Sequence, residues 1–115
     1  MLLGLATGKY NGICVQDAGL SGKTAADGLA CGRTSGFAGK FIEPMLSGSF
    51  TVSDERLLPY LKMLYRTEGL FIEPSSCAAV HGPVLAGDHP AETVILWATG
   101  GSLVPETVRR EFLAE

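Results

Sequence analysis

Thr99 closes the apolar run TVILWA and is followed at once by Gly100 and Gly101. A hydroxyl there offers a hydrogen bond, and residues without side chains let a partner come close to the backbone. The run is continuous rather than alternating, which predicts a strand buried in a parallel sheet. Ligands of open parallel sheets bind off the carboxyl ends of strands. A second apolar run, LFIEPSS, also ends in polar groups. If the two runs are neighbours, Glu73, Ser75 and Thr99 converge on one crevice. If not, they are two unrelated strand ends, because strand order is not written in the sequence. Ser75 and Ser76, following a proline, serve equally as helix N-caps. Asp27, in ADG, is either a site residue or a turn former.

Other motifs carry less chemistry. GLSGKTAADG invites a phosphate-loop reading, but the position that must be the first glycine of that loop is Asp17. The dinucleotide pattern GxGxxG is absent from the sequence. His81 and His89 have no partner at metal-ligand spacing, so each is expected to be structural. Glu43 and Glu73 each precede a proline, which predicts extended backbone at both.

The totals narrow the classes. At 115 residues the chain is at most one domain. Charged residues are 18% of it, against a usual share of roughly 25%. Mean hydropathy is +0.24, so one face is expected to be covered by more protein. A net charge of −3 gives no footprint for nucleic acid. No run approaches the roughly 18 apolar residues of a membrane span, and MLLGLATGKY lacks the basic start of a signal peptide. Cys14, Cys31 and Cys77 form no paired spacing, which predicts reduced thiols and a cytoplasmic setting.

The elements that position Thr99 follow from pattern. MLLGLATGKYNG starts mid-pattern and ends in a glycine suited to stopping a helix, where a polar start would be more usual. ICVQDAG reads as a strand, and GLSGKTAADGLACGRTSG as a long ordered loop. SGFAGKFIEPML has helical spacing, with Phe37, Phe41 and Leu46 inward. SFTVS reads as a strand. Ser53 then caps a helix marked by Asp54 and Glu55 at its start and by Arg66 before Gly69 at its end, with Pro59 in its first two turns. LFIEP is a strand, PSSCAAVHGPVLAG a small-residue helix and TVILWA a strand. PETVRREFLAE closes the chain as a helix with Pro105 near its first position. Strands alternating with helices predict an α/β fold, with a mostly parallel sheet flanked by helices.

Three stretches, TAADGLACGRTSGF, EGLFIEPSSCAAVHGP and ILWATGGSLVPE, in that order and spacing, resemble the C-terminal portion of the bacterial D-serine dehydratases (D-serine ammonia-lyases). These are pyridoxal-phosphate enzymes of fold type II, similar to tryptophan synthase β. The resemblance covers nearly the whole chain. It implies that residues 1–115 form one C-terminal fragment of the catalytic domain, on the cofactor-ring side of the site. It implies β-elimination of D-serine to pyruvate and ammonia, with this chain inactive alone. The family's Schiff-base lysine segment and phosphate loop have no match here, and none of Lys9, Lys23, Lys40 and Lys62 sits in such a context. No catalytic residue is therefore expected in this chain.

By resemblance, Thr99 is the hydrogen-bond partner of the ring nitrogen, with Gly100 and Gly101 letting the ring lie close. Glu73, in EPSS, resembles an acidic residue near the ring edge, Ser75 is a further cofactor-binding candidate, and Asp27 belongs to a loop at the mouth of the site. Some relatives bind a monovalent or divalent cation near this half, whose ligands are unassigned here. The implied partners are D-serine and the missing N-terminal part of the enzyme, with self-association through uncovered apolar surface. Two rivals remain: a non-catalytic assembly or binding module that keeps the fold, and an unrelated small Rossmann-like ligand binder.

Overall fold

The computed structural model describes residues 1–87 and 93–114, in two compact units, Met1–Thr51 and Val52–Glu115. His89 lies outside the described residues.

In the first unit, α1 (Leu2–Ala6) and α2 (Gly36–Ile42) flank a turn of 3₁₀ helix at Tyr10–Gly12. Ser35 caps α2, its hydroxyl accepting from the Ala38 N–H at 3.3 Å. Small residues set how closely the pieces meet. A Cβ on Gly4 would lie 2.7 Å from the Tyr10 carbonyl oxygen, and one on Gly39 would lie 3.0 Å from the Tyr10 ring. Tyr10 holds a φ of 48°, unusual for a side-chain-bearing residue. Its phenol donates to Glu43 at 2.5 Å, a bond that raises the Tyr10 pKa above its ordinary value.

This arrangement corrects the expected inward set. Phe37 and Phe41 are 83% and 65% exposed and stack on each other, while Leu46 is also exposed. The side of α2 that faces inward carries Gly39, because the Tyr10 ring occupies the space a larger residue would need. Glu43 is likewise not extended. It has helical backbone (φ −47°, ψ −49°) and opens a 3₁₀ turn at Glu43–Met45 with Pro44 behind it.

ICVQDAG is not a strand. Its Val15–Ala18 segment is 3₁₀ helix, because the Asp17 carboxylate accepts from the Cys14 N–H at 2.9 Å and from its thiol at 3.2 Å. A short acidic side chain that bonds nearby backbone offers the chain a turn in place of a ladder. The loop that follows is irregular apart from a 3₁₀ turn at Asp27–Leu29.

In the second unit α3 (Asp54–Glu68) matches its sequence marks. Asp54 and Glu55 lie in the first turn, Pro59 lies within the helix, and Gly69 ends it at φ 65°. Ser53 occupies the N-cap position, yet its side chain makes no cap bond. Leu57 and Leu61 are fully enclosed, and Ile72, Pro74 and Cys77 are buried with them in this unit. PSSCAAVHGPVLAG is helical in three successive pieces: α4 (Pro74–Cys77), 3₁₀ turns at Ala78–His81, and α5 (Gly82–Ala86). Pro83, which has no N–H, stands at the start of α5. The last helix, α6 (Glu106–Leu113), has Pro105 as its N-cap.

The described residues contain no strand, so the expected parallel sheet is not formed among them. SFTVS, TVILWA and residues 70–73 of LFIEP are irregular, and residues 94–97 are exposed, Trp97 at 78%. A strand needs a lateral partner along its length. The stretches around Glu73 and Thr99 share one backbone bond, Glu73 N–H to the Gly100 carbonyl at 3.1 Å, at their ends only. Among the described residues no helix is long and apolar enough to cross a membrane.

Candidate functional site

The ends of LFIEPSS and VILWATGG come together in the second unit. Pro74 keeps Glu73 extended (φ −69°, ψ 155°), as its sequence predicts, and Glu73 opens α4 rather than ending a strand. Two residues into α4, the Ser76 hydroxyl accepts from the Thr99 N–H at 3.0 Å and from the Gly100 N–H at 3.2 Å. It also lies 3.1 Å from Thr99 Oγ1. The two run ends therefore meet, Glu73 against Gly100 and Ser76 against Thr99.

Both glycines have a packing reason. A Cβ on Gly100 would stand 2.9 Å from the Glu73 carboxylate. One on Gly101 would stand 2.7 Å from Ile72 Cα and 2.9 Å from the Phe71 carbonyl oxygen, at a φ of 140° that side-chain-bearing residues avoid. What approaches the bare backbone here is the chain's own 71–73 segment. Ser75 is buried beside Ser76, Gly100 is half-buried, and Thr99 remains exposed.

The turn after Gly101 is tied down from α6. Arg109 donates to three carbonyl oxygens, those of Gly101, Ser102 and Val104, each at 2.9 Å. Its guanidinium lies 4.8 Å from the centre of the Phe71 ring. One planar fork thus joins the glycine turn to the chain before Glu73. Behind Ser76 lies an apolar cavity of about 100 Å³, walled by Ile72, Ala79, Leu96 and Trp97.

Other candidates have structural partners. His81 is buried, its Nδ1 2.5 Å from the Tyr60 hydroxyl, in the structural role its sequence predicts. Cys77 is a buried thiol whose pKa is pushed up to about 11, first by burial and then by the Glu73 charge, so it stays protonated. Asp27 is exposed and belongs to the first unit, in the 3₁₀ turn Asp27–Leu29. Among the described residues no group of three His, Cys, Asp or Glu side chains is placed to hold a metal ion.

The profile of the pyridoxal-phosphate dependent enzymes matches residues 3–100. The chain belongs to that family. Its cofactor is pyridoxal phosphate. As a pyridoxal-phosphate dependent enzyme chain it is 48% identical, over 97% of its length, to a probable D-serine dehydratase of Bacillus cereus (strain B4264), covering 28% of that protein. It is 50% identical over 94% of its length to the protein of the same name from Bacillus cereus (strain AH187), covering 27% of it. Against the probable D-serine dehydratase of Bacillus anthracis (strain CDC 684 / NRRL 3495) the identity is 49%, with 94% and 27% covered. The chain thus spans little more than a quarter of the length of these relatives.

The donor set suits the ring of that cofactor. Thr99 is an exposed residue with a hydroxyl, a group that bonds a heteroaromatic nitrogen without placing a charge beside it. Two residues escaped the sequence reading. Ser76 was inseparable from Ser75 there, although counting from Pro74 puts the two on different sides of the first helical turn. Arg109 looks like one more exposed charge in PETVRREF, and no local signal reveals its carbonyl partners.

Proposed function

We propose that this chain is the C-terminal, cofactor-ring part of a D-serine dehydratase, catalysing β-elimination of D-serine to pyruvate and ammonia, and that it is inactive alone. The observation that carries this reading is Thr99, an exposed residue whose hydroxyl and N–H both meet Ser76 beside the contact of Glu73 with Gly100. Family membership and the names of the Bacillus relatives support it. When bound, pyridoxal phosphate supplies the electron sink that draws charge from the substrate's α-carbon.

The role of this chain is orientation and electronic tuning. An aspartate beside the ring nitrogen would hold a proton there, whereas the Thr99 hydroxyl does not demand one. A neutral Thr99 partner would favour prompt loss of the substrate's β-hydroxyl, as a dehydratase requires. Glu73 keeps a carboxylate by the same turn, against Gly100. The covalent lysine and the phosphate cradle are assigned to the rest of the enzyme. Of the lysines in this chain, Lys9, Lys23 and Lys40 are exposed in the first unit, and Lys62 on α3 bonds the Ala114 carbonyl.

The test is pyruvate formation from D-serine and pyridoxal phosphate. The expected result is none from this chain alone, and turnover once the remaining part of a Bacillus relative is supplied as a separate chain. Steady pyruvate production by the isolated chain would overturn the proposal.

A further inference from the structure

This inference rests on Thr99 as the partner of the ring nitrogen and concerns what aims its hydroxyl. Among the described residues Ser76 Oγ has three polar neighbours: the Thr99 N–H at 3.0 Å, the Gly100 N–H at 3.2 Å and Thr99 Oγ1 at 3.1 Å. A serine hydroxyl has two lone pairs and one proton. The two N–H groups can only donate, so they occupy the two lone pairs. The third contact is then the Ser76 proton, donated to Thr99 Oγ1. The reverse direction would crowd three donors onto two lone pairs and leave the Ser76 proton without an acceptor beside a largely apolar cavity.

We propose that Ser76 is the positioning residue that turns Thr99 into an outward-facing donor. Its proton engages the inner side of Thr99 Oγ1, and the Thr99 proton points out of the protein toward an aromatic nitrogen that accepts it. A hydroxyl that accepts one hydrogen bond donates a second one more strongly, by roughly 10–30%. The two N–H bonds fix the Thr99–Gly100 peptide as well, so a single side chain sets both the place and the polarity of the hydroxyl.

The experiment has two readouts besides activity. In the chain without cofactor, amide exchange at Thr99 and Gly100 is followed by NMR. In the chain assembled with the remaining part of the 48%-identical relative, the signal of pyridoxal phosphate labelled with nitrogen-15 in its ring is followed across pH. Ser76→Ala is expected to speed exchange at both amides about tenfold, weaken cofactor binding about fivefold and move the ring-nitrogen signal toward its protonated position, as loss of about one hydrogen bond implies. Ser76→Thr restores all three, its methyl entering the cavity of about 100 Å³.

A ring-nitrogen signal that moves in Thr99→Val but not in Ser76→Ala overturns the role of Ser76 alone. A signal unmoved by Thr99→Val overturns Thr99 as ring partner, which is the prior reading. If Ser76→Ala does not fold, Ser76→Cys replaces it, a weak donor and acceptor of similar size, with the same expected and overturning results.

Discussion

The Glu73 N–H donates to the Gly100 carbonyl at 3.1 Å, while the Glu73 carboxylate covers the bare face of Gly100. Backbone and side chain of one residue thus hold the glycine turn from two sides. The neighbouring Gly101 packs differently, against the backbone of Phe71, Ile72 and Glu73.

That difference ranks two substitutions. In Gly100→Ala the new methyl would lie 2.9 Å from a carboxylate, the far end of a flexible side chain, which swings aside. The expected loss is about 1 kcal/mol, typical of mild overpacking. In Gly101→Ala the methyl would meet Ile72 Cα at 2.7 Å, and the φ of 140° is strained for alanine whatever the space. Overpacking and strain together cost about 3 kcal/mol or more. Urea unfolding of the two variants checks the order. A loss for Gly100→Ala equal to that for Gly101→Ala contradicts these contacts.

Arg109 is expected to be the most sensitive charge of α6. Arg109→Ala leaves three carbonyl oxygens without their donor and exposes the Phe71 ring, costing about 2 kcal/mol. Arg109→Lys recovers less than half, since an ammonium lacks the planar fork that spans several carbonyls and stacks on a ring. Arg110→Ala is the control. Its pair with Glu106 is 78% and 66% exposed, and its loss is expected within about 0.5 kcal/mol. Thermal unfolding of all three decides. Equal effects at the two arginines would mean that the carbonyl contacts contribute nothing.

How far the sequence reaches is clearest in α3 and α2. Helix α3 was legible because both ends are marked, by Asp54 and Glu55 before and Gly69 after. In α2 the helical spacing of SGFAGKFIEPML was legible, but the inward face was not. Periodicity ranks faces by apolarity, whereas packing against the Tyr10 ring selected Gly39 and left Phe37 outside. SFTVS, LFIEP and TVILWA form no strand for another reason. Two to five apolar residues fix no lateral partner, and pairing is a property of two segments. For the site, the pieces EPSS and TGG were visible, and their meeting was not. The choice of Ser76 over Ser75 depends on where α4 begins, and the reach of Arg109 depends on how α6 packs.

Asp17 should tie the first unit to acidic pH. Bonds from the Cys14 N–H, first, and its thiol hold the Asp17 carboxyl below its ordinary 3.8. A carboxylate depressed on folding contributes stability above its unfolded pKa and loses it as pH falls through the folded value. Asp17→Asn, which keeps one acceptor without charge, is expected to lose that acid dependence. NMR titration of Asp17 in the parent checks the direction, and a midpoint at or above 3.8 would contradict the two bonds.

Cys77 gives the opposite dependence at alkaline pH. Its thiol titrates at 9.0 when unfolded and at about 11 when folded, because burial and then Glu73 disfavour the thiolate. An acid whose pKa rises on folding keeps its proton longer in the native state, so the native state binds more protons between these two values. Stability contributed by the buried thiol is therefore fully present below pH 9 and is lost as pH rises toward 11. The thiolate is also the reactive form, and Cys77 lacks both the charge state and the access that alkylation requires. At pH 8 Cys31, which is exposed, is expected to react readily with iodoacetamide, and Cys77 only at the rate at which the second unit opens. Mass spectrometry of peptides from a timed alkylation reads both rates. Adding urea should accelerate Cys77 steeply and Cys31 little, whereas equal rates in the native chain would mean that α4 does not enclose the thiol.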